Sequence, residues 1–273
     1  VQKIILFFTL VLVLSCGSAE SQDSSPLVLD TSTSGKETQE LSTLNTNPKR
    51  QKDNKIVYQE STYDDPKFIS QIVDHQNNLK RLSDNKIFSN ISLQLLSRLN
   101  KTHQKYFKNH AEFELLSAAE GNLFRGQGKD AVFFVYDKIR NRGVFLVYHD
   151  NKNRYFQLFT EIQVVNGLEG ANCNYGNFGS LDYRFSEVLI EQEEYLTKNP
   201  YLFLKDLPIK ITDFRKDKDF VLKEGCFAKT YIKNEISDAF CISTSSVYNN
   251  WECLRYDKSN NTFNIFYGQA FAD

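Results

Sequence analysis

Apolar residues fall into three regimes along the chain. Residues 4–14 form a continuous apolar run broken only by Thr9. From residue 17 to about 62, Ser, Thr, Asp, Gln, Asn and Lys dominate, with a few scattered Leu. Such a stretch buries too little apolar surface to offset the entropy of ordering, so it reads as a tether. Beyond it the apolar positions become periodic. Phe68, Ile69, Ile72, Val73, Leu79 and Leu82 recur at helical spacing, with Asp65 as cap and Pro66 at the first helical position. Ser83-Asp84-Asn85 stops this helix. A second begins near Ser89, with Ile91, Leu95, Leu99 and Tyr106 in register, and ends at Asn109-His110. Three dense runs follow: Ala131-Val-Phe-Phe-Val-Tyr136, Val144-Phe-Leu-Val-Tyr148 and Tyr155-Phe-Gln-Leu-Phe159. Their aromatic and β-branched content and polar breaks predict strands.

Further strands are predicted over 162–165, 209–214, 220–222, 227–232, 240–243, 251–256 and 263–267. A third helix is predicted over 186–196, capped by Ser186, with Glu187 in its first turn and Asn199-Pro200 ending it. Three segments share one frame: Tyr136-Asp137-Lys138-x-x-Asn141, Tyr148-His149-Asp150-x-x-Asn153 and Tyr256-Asp257-Lys258-x-x-Asn261. Each joins two apolar runs. Asn and Asp tolerate the left-handed backbone of tight turns, so the echo reads as repeated hairpin chemistry. The sum is an α+β fold in which two N-terminal amphipathic helices pack on a mainly antiparallel β-sheet, a meander of hairpins, with a third helix inserted. One globular domain is expected over 63–273, about 210 residues, enough for a sizeable core.

Charge and motifs exclude several functions. The net charge of −1 lacks the basic surplus that binding a phosphate backbone needs, so no nucleic-acid partner is expected. There is no phosphate loop, dinucleotide fingerprint or nucleophile elbow. His75 and His103 fall near the apolar stripes of the two helices and read as packing residues, there being no His-Glu-x-x-His spacing. Glu191, Glu193 and Glu194 point different ways from one helix, so they read as a solvated face and not as an acid–base pair. No catalytic residue, metal or cofactor is expected.

The N-terminus carries the most specific signal. Lys3 precedes the apolar run, which falls short of the ~17 residues needed to span a bilayer. It ends at Val13-Leu14-Ser15-Cys16. A charged start, a short apolar core and small residues at the cut describe an export signal. The ending resembles the lipobox of bacterial lipoproteins. That resemblance implies a signal peptide over 1–15, cleavage before Cys16, and acyl chains such as palmitate on the Cys16 sulfur and its new amine. Several chains together anchor firmly. Gly17 in place of Asp points to the outer membrane, at the periplasmic face or the cell surface. Gly17-Ser18-Ala19 also suits an ordinary cut after Ala19, which would give a secreted chain. The tether, residues 16–62, reaches ~35–40 Å on average and ~150 Å fully stretched. Pro48-Lys49-Arg50-Gln51-Lys52 within it is a small basic cluster, either solvated or touching anionic lipid.

Export places the remaining cysteines, Cys173, Cys226, Cys241 and Cys253, in an oxidising compartment, where three pairings are open. A hairpin across the turn-rich segment 243–250 favours Cys241–Cys253 and, by remainder, Cys173–Cys226; free buried thiols are the alternative. Asn174, Tyr175, Asn177 and Phe178 lie in a glycine-flexed loop, and Tyr248, Asn249 and Trp251 repeat its character. Rings stack on apolar faces and amides hydrogen-bond hydroxyls, so these loops form a candidate ligand site for sugar or peptide. The competing reading makes the aromatics core anchors. Gly121-Asn-Leu-Phe-Arg-Gly-Gln-Gly-Lys-Asp130 resembles the calcium loop of FG-GAP or VCBS repeats. It departs at Asn122, Phe124 and Gly126, where oxygen ligands belong, so no calcium is expected. The functional expectation is a membrane-anchored, non-catalytic binding protein for an envelope protein or glycan. A cell-envelope hydrolase and an inhibitor or immunity lipoprotein are the alternatives. A Ser or Cys beside His, or a carboxylate pair in a cleft, would mark the hydrolase.

Overall fold

The computed structural model describes residues 58–166, 179–200, 202, 209–216, 236–243 and 251–269. All of them belong to one compact unit, Asp53–Asp273. In chain order the elements are β1 (Tyr58–Gln59), α1 (Ile69–Asp84), α2 (Ile87–Leu96), α3 (Lys101–Asn109), β2 (Phe113–Gly121), β3 (Asp130–Asp137), β4 (Arg142–His149), β5 (Arg154–Gln157) and β6 (Val164–Asn166). They continue with α4 (Leu181–Glu191), α5 (Glu193–Lys198), β7 (Ile209–Asp213), β8 (Asp238–Ser243), β9 (Trp251–Asp257) and β10 (Thr262–Gln269). Short 3-10 turns occupy Thr62–Asp64, Pro66–Phe68 and Asp150–Lys152. The fold is α+β.

The single expected sheet is two sheets. One is the antiparallel meander β2-β3-β4-β5; the other runs β1-β6-β10-β9-β8-β7 and is mixed, because β6 pairs parallel to β10. Their inner faces pack on each other. Val132, Phe134 and Tyr136 of β3 share one core with Phe240 and Ile242 of β8, Leu254 and Tyr256 of β9, and Phe263 and Ile265 of β10. The alternate residues Ala131, Phe133 and Val135 face the other way, against Phe107 of α3 and Leu95, Leu96 and Leu99. On the second sheet, Ala239, Cys241 and Cys253 turn outward into a cluster with Phe214, Ile236 and Phe266. Strands buried on both faces read as near-continuous apolar runs, which is why β3 and β4 show no polar alternation.

The helices also depart from expectation. Three α-helices precede the first sheet, not two. The helix expected from Ser89 to Asn109 breaks after Leu96, and the Asn100 side chain accepts from His103 N at 3.0 Å to cap a new helix, α3. The inserted helix starts at Leu181 after Ser180, and Ser186 sits inside it, donating its hydroxyl to Asp182 O at 2.7 Å. A second short helix, α5, follows. The globular unit also starts earlier than residue 63: Tyr58 and Gln59 pair with β6, and Ser61 and Thr62 are buried.

The threefold echo is a turn with a built-in clasp. Asn141, Asn153 and Asn261 all adopt left-handed backbone, at φ 49°, 48° and 54°. In each, the tyrosine five residues earlier donates its hydroxyl to the Asn side chain: Tyr136 to Asn141 at 2.8 Å, Tyr148 to Asn153 at 2.9 Å and Tyr256 to Asn261 at 2.8 Å. Asn141→Ala keeps the left-handed strain and loses the clasp, an expected cost of about 1–2 kcal/mol. Asn141→Gly relieves the strain and should cost less than half of that. Equilibrium denaturation of the two variants measures the difference.

Candidate functional site

A buried polar cluster gathers Ser61 and Thr62, near the start of the described residues, against the start of α4. Ser61 donates its hydroxyl to Asp182 Oδ2 at 2.7 Å. Ser180 donates to Asp182 Oδ1, and Tyr183 N donates to the same oxygen at 3.0 Å. Each of Thr62 and Ser180 donates its backbone amide to the other's hydroxyl, Thr62 N to Ser180 Oγ at 2.7 Å and Ser180 N to Thr62 Oγ1 at 2.6 Å. Residues more than a hundred positions apart are thereby locked at the start of α4.

Next to this lock, Tyr63 lies against His75 of α1. The phenol and His75 Nε2 are 2.8 Å apart, and Gly143 N donates to the phenol oxygen at 3.3 Å. His75 stacks on Tyr183, with ring centroids 4.3 Å apart. Arg142 of β4 pairs with Asp64 at 2.8 Å and spreads over the Tyr63 ring at 5.8 Å. Gly143 admits this arrangement: a Cβ there would meet Ser186 Oγ at 2.0 Å and the Phe134 ring at 2.7 Å. α4 therefore passes directly over the glycine.

The electrostatics follow from burial. Burial pulls His75 down to about 4, so the ring is neutral at physiological pH and its Nε2 is able to accept from Tyr63. Burial pushes the Tyr63 phenol up, against the amide of Gly143 that donates to it. It also raises the Asp182 carboxyl, against the hydrogen bonds from Ser180 and Ser61 and the charge of Arg142. Asp182 has its acceptors filled by two hydroxyls and an amide, so the cluster acts as a fastening. Among the described residues, the partners of His75 and His103 are tyrosine hydroxyls: His103 Nδ1 meets Tyr155 OH, in a nest with Phe133 and Tyr148.

The residues singled out by sequence are placed as follows. Cys241 and Cys253 are cross-strand partners on β8 and β9, joined as a disulfide with Cα atoms 4.1 Å apart. Trp251 opens β9 opposite Ser243, packs beside the outward cluster and lies under Lys210 Nζ at 4.8 Å. Cys16, Cys173, Asn174, Tyr175, Asn177, Phe178, Cys226, Tyr248 and Asn249 lie outside the described residues, as do the strands expected over 220–222 and 227–232. In the glycine loop, Asp130 accepts from Phe124 N at 2.8 Å and from Asp150 N at 3.0 Å, so both its oxygens serve backbone amides. Among the described residues no three His, Cys, Asp or Glu side chains gather as a metal site. No described helix is long and apolar enough to cross a membrane.

No protein-family model matches the chain, and no curated protein or solved structure matches it. The functional reading therefore rests on the chain's own residues. Sequence reasoning missed Ser61, Thr62, Tyr63, Ser180 and Asp182. Ser, Thr and Asp in these positions have no periodicity, and only the fold reveals their partners. The Tyr–Asn clasps were accessible, since all three pairs share a separation of five.

Proposed function

We propose that the chain is an envelope lipoprotein, held at the outer membrane through acyl chains on Cys16, whose globular unit is a non-catalytic binding module for an envelope protein or glycan. The observation that carries the reading is Val13-Leu14-Ser15-Cys16 closing a short apolar run behind Lys3. The polar stretch after it supplies a tether, and the Ser61–Asp182 lock suits the point where a tether must be fastened to a folded unit.

The test is intact-mass measurement of the protein recovered from its own membranes. The expected result is a polypeptide beginning at Cys16 and heavier than its sequence by acyl chains. A free polypeptide beginning at Glu20 overturns the anchoring.

A further inference from the structure

Between Asp84 and Glu112 the chain carries Lys86, Arg98, Lys101, Lys105 and Lys108 and no carboxylate, within a protein of net charge −1. Three of these cations form one side of a helix. Lys101, Lys105 and Lys108 follow each other at spacings of four and three residues on α3, so they project together. They span about 10 Å along its axis. All three are exposed, as is Arg98 in the turn ahead of them. The other side of α3 is packed: His103 and Phe107 are buried against Phe133, and Tyr106 stacks on Tyr155 at 3.5 Å. Among the described residues no carboxylate pairs with any of the four cations. The carboxylates whose charge reaches α3 are Glu112, Glu120, Asp150 and Glu161. Each is engaged elsewhere: Glu112 with His110 at 3.0 Å, Glu120 with Lys129, Glu161 with Arg154 at 3.0 Å, and Asp150 with the Lys129 amide at 3.0 Å. Thr102 and Asn109 flank the lysines on one side and Gln104 on the other, all of them exposed.

We propose that this face of α3 binds an anionic glycan. The ammonium groups of Lys101, Lys105 and Lys108 meet carboxylates or phosphates on its sugars, while Thr102, Gln104 and Asn109 hydrogen-bond its hydroxyls. Two observations select a glycan over other polyanions. No apolar side chain stands among the lysines of α3, so the face has nothing to enter the acyl boundary of a bilayer. Tyr106 is covered by Tyr155 and by His110 at 4.3 Å, so α3 offers no open ring on which a nucleic-acid base could stack. What remains is a polar surface of fixed cations, amides and a hydroxyl, which suits a charged and heavily hydroxylated polymer. The inference deepens the binding-module reading by naming the class of ligand, and it rests on that reading.

The test uses the chain from residue 16 with Cys16→Ser, so that no acyl chain contributes. Fluorescein-labelled oligogalacturonate and phosphomannan are titrated with it and followed by polarisation, with a neutral maltooligosaccharide as control. Binding to an acidic glycan that weakens with salt is expected. Lys101→Gln, Lys105→Gln and Lys108→Gln together should weaken it by about tenfold or more and flatten its salt dependence. Lys80, Lys198 and Lys216 pair with Asp84, Glu194 and Asp213, and changing these three to Gln alters the net charge equally. That control should keep its affinity within about twofold of the parent. Glutamine suits a helix, and circular dichroism checks the fold of both variants. Failure to bind either acidic glycan, or equal losses in the two triple variants, overturns the proposal. So does tighter binding to duplex DNA or to phosphatidylglycerol vesicles at the same salt, which assigns the face to those partners. Intact mass at Cys16 reads the anchor separately, so a failed titration leaves the anchor standing and a missing anchor leaves the titration standing.

Discussion

Phe134→Ala is expected to lower the unfolding free energy by about 4 kcal/mol, a large part of the ~5–15 kcal/mol that holds a domain of this kind together. Phe134 is fully buried on the inner face of β3. Its ring meets Phe145 of β4 at 4.8 Å and Phe185 of α4 at 4.6 Å. Phe145 in turn meets Phe240 of the second sheet at 5.5 Å, so one aromatic chain runs from sheet to helix and from sheet to sheet. Truncation loses the transfer energy of the ring and leaves a cavity walled by strands on both sides, which cannot collapse without moving the ladder. Phe134→Leu keeps most of the volume and should cost about a third as much. Urea unfolding followed by circular dichroism reads both, with the midpoint falling and the slope unchanged. A loss under about 1.5 kcal/mol for the alanine variant would mean that the two sheets are not packed through this ring.

The same strand shows how far the sequence could be read. Its run of six apolar residues marks a strand, and both faces are indeed buried, one against α3 and one against the second sheet. That double burial erases the polar alternation that would tell one face from the other, so periodicity could not separate two sheets from one. The helix break at residues 97–100 was hidden for a related reason. Leu95 and Leu99 are four apart and keep the apolar stripe in phase across a turn, while Asn100, the cap, carried the only sign of it. Hairpin chemistry was legible because left-handed turns demand particular residues, and Asn141, Asn153 and Asn261 occupy those positions. The disulfide followed from the same logic: a turn between two strands brings Cys241 opposite Cys253. The Ser61–Asp182 lock followed from nothing local, because its partners are 121 residues apart.

Acidification should reveal the buried histidine of that site. His75 is 5% exposed, and burial pulls its ring down to about 4 from the 6.5 of a free one. Between those values the unfolded chain takes up a proton at His75 and the folded chain does not, so stability falls as pH drops through this window and recovers as it rises. The gap between the two values corresponds to about 3 kcal/mol. Burial raises the Asp182 carboxyl, and Glu114 and Glu187 with it, which works in the opposite sense, since a folded state that holds its proton gains on acidification. Burial also lowers His103, which adds to the loss. The wild-type curve alone therefore mixes several groups. The difference between wild type and His75→Gln isolates one, because glutamine still offers an acceptor to Tyr63 and does not titrate. That difference should be flat above pH 7 and should move in favour of the variant by about 3 kcal/mol by pH 4. Parallel stability curves across the whole range would show that His75 becomes charged in place. The Tyr63 phenol would then have to accept from the ring, and the fastening would rest on Ser61, Thr62, Ser180 and Asp182.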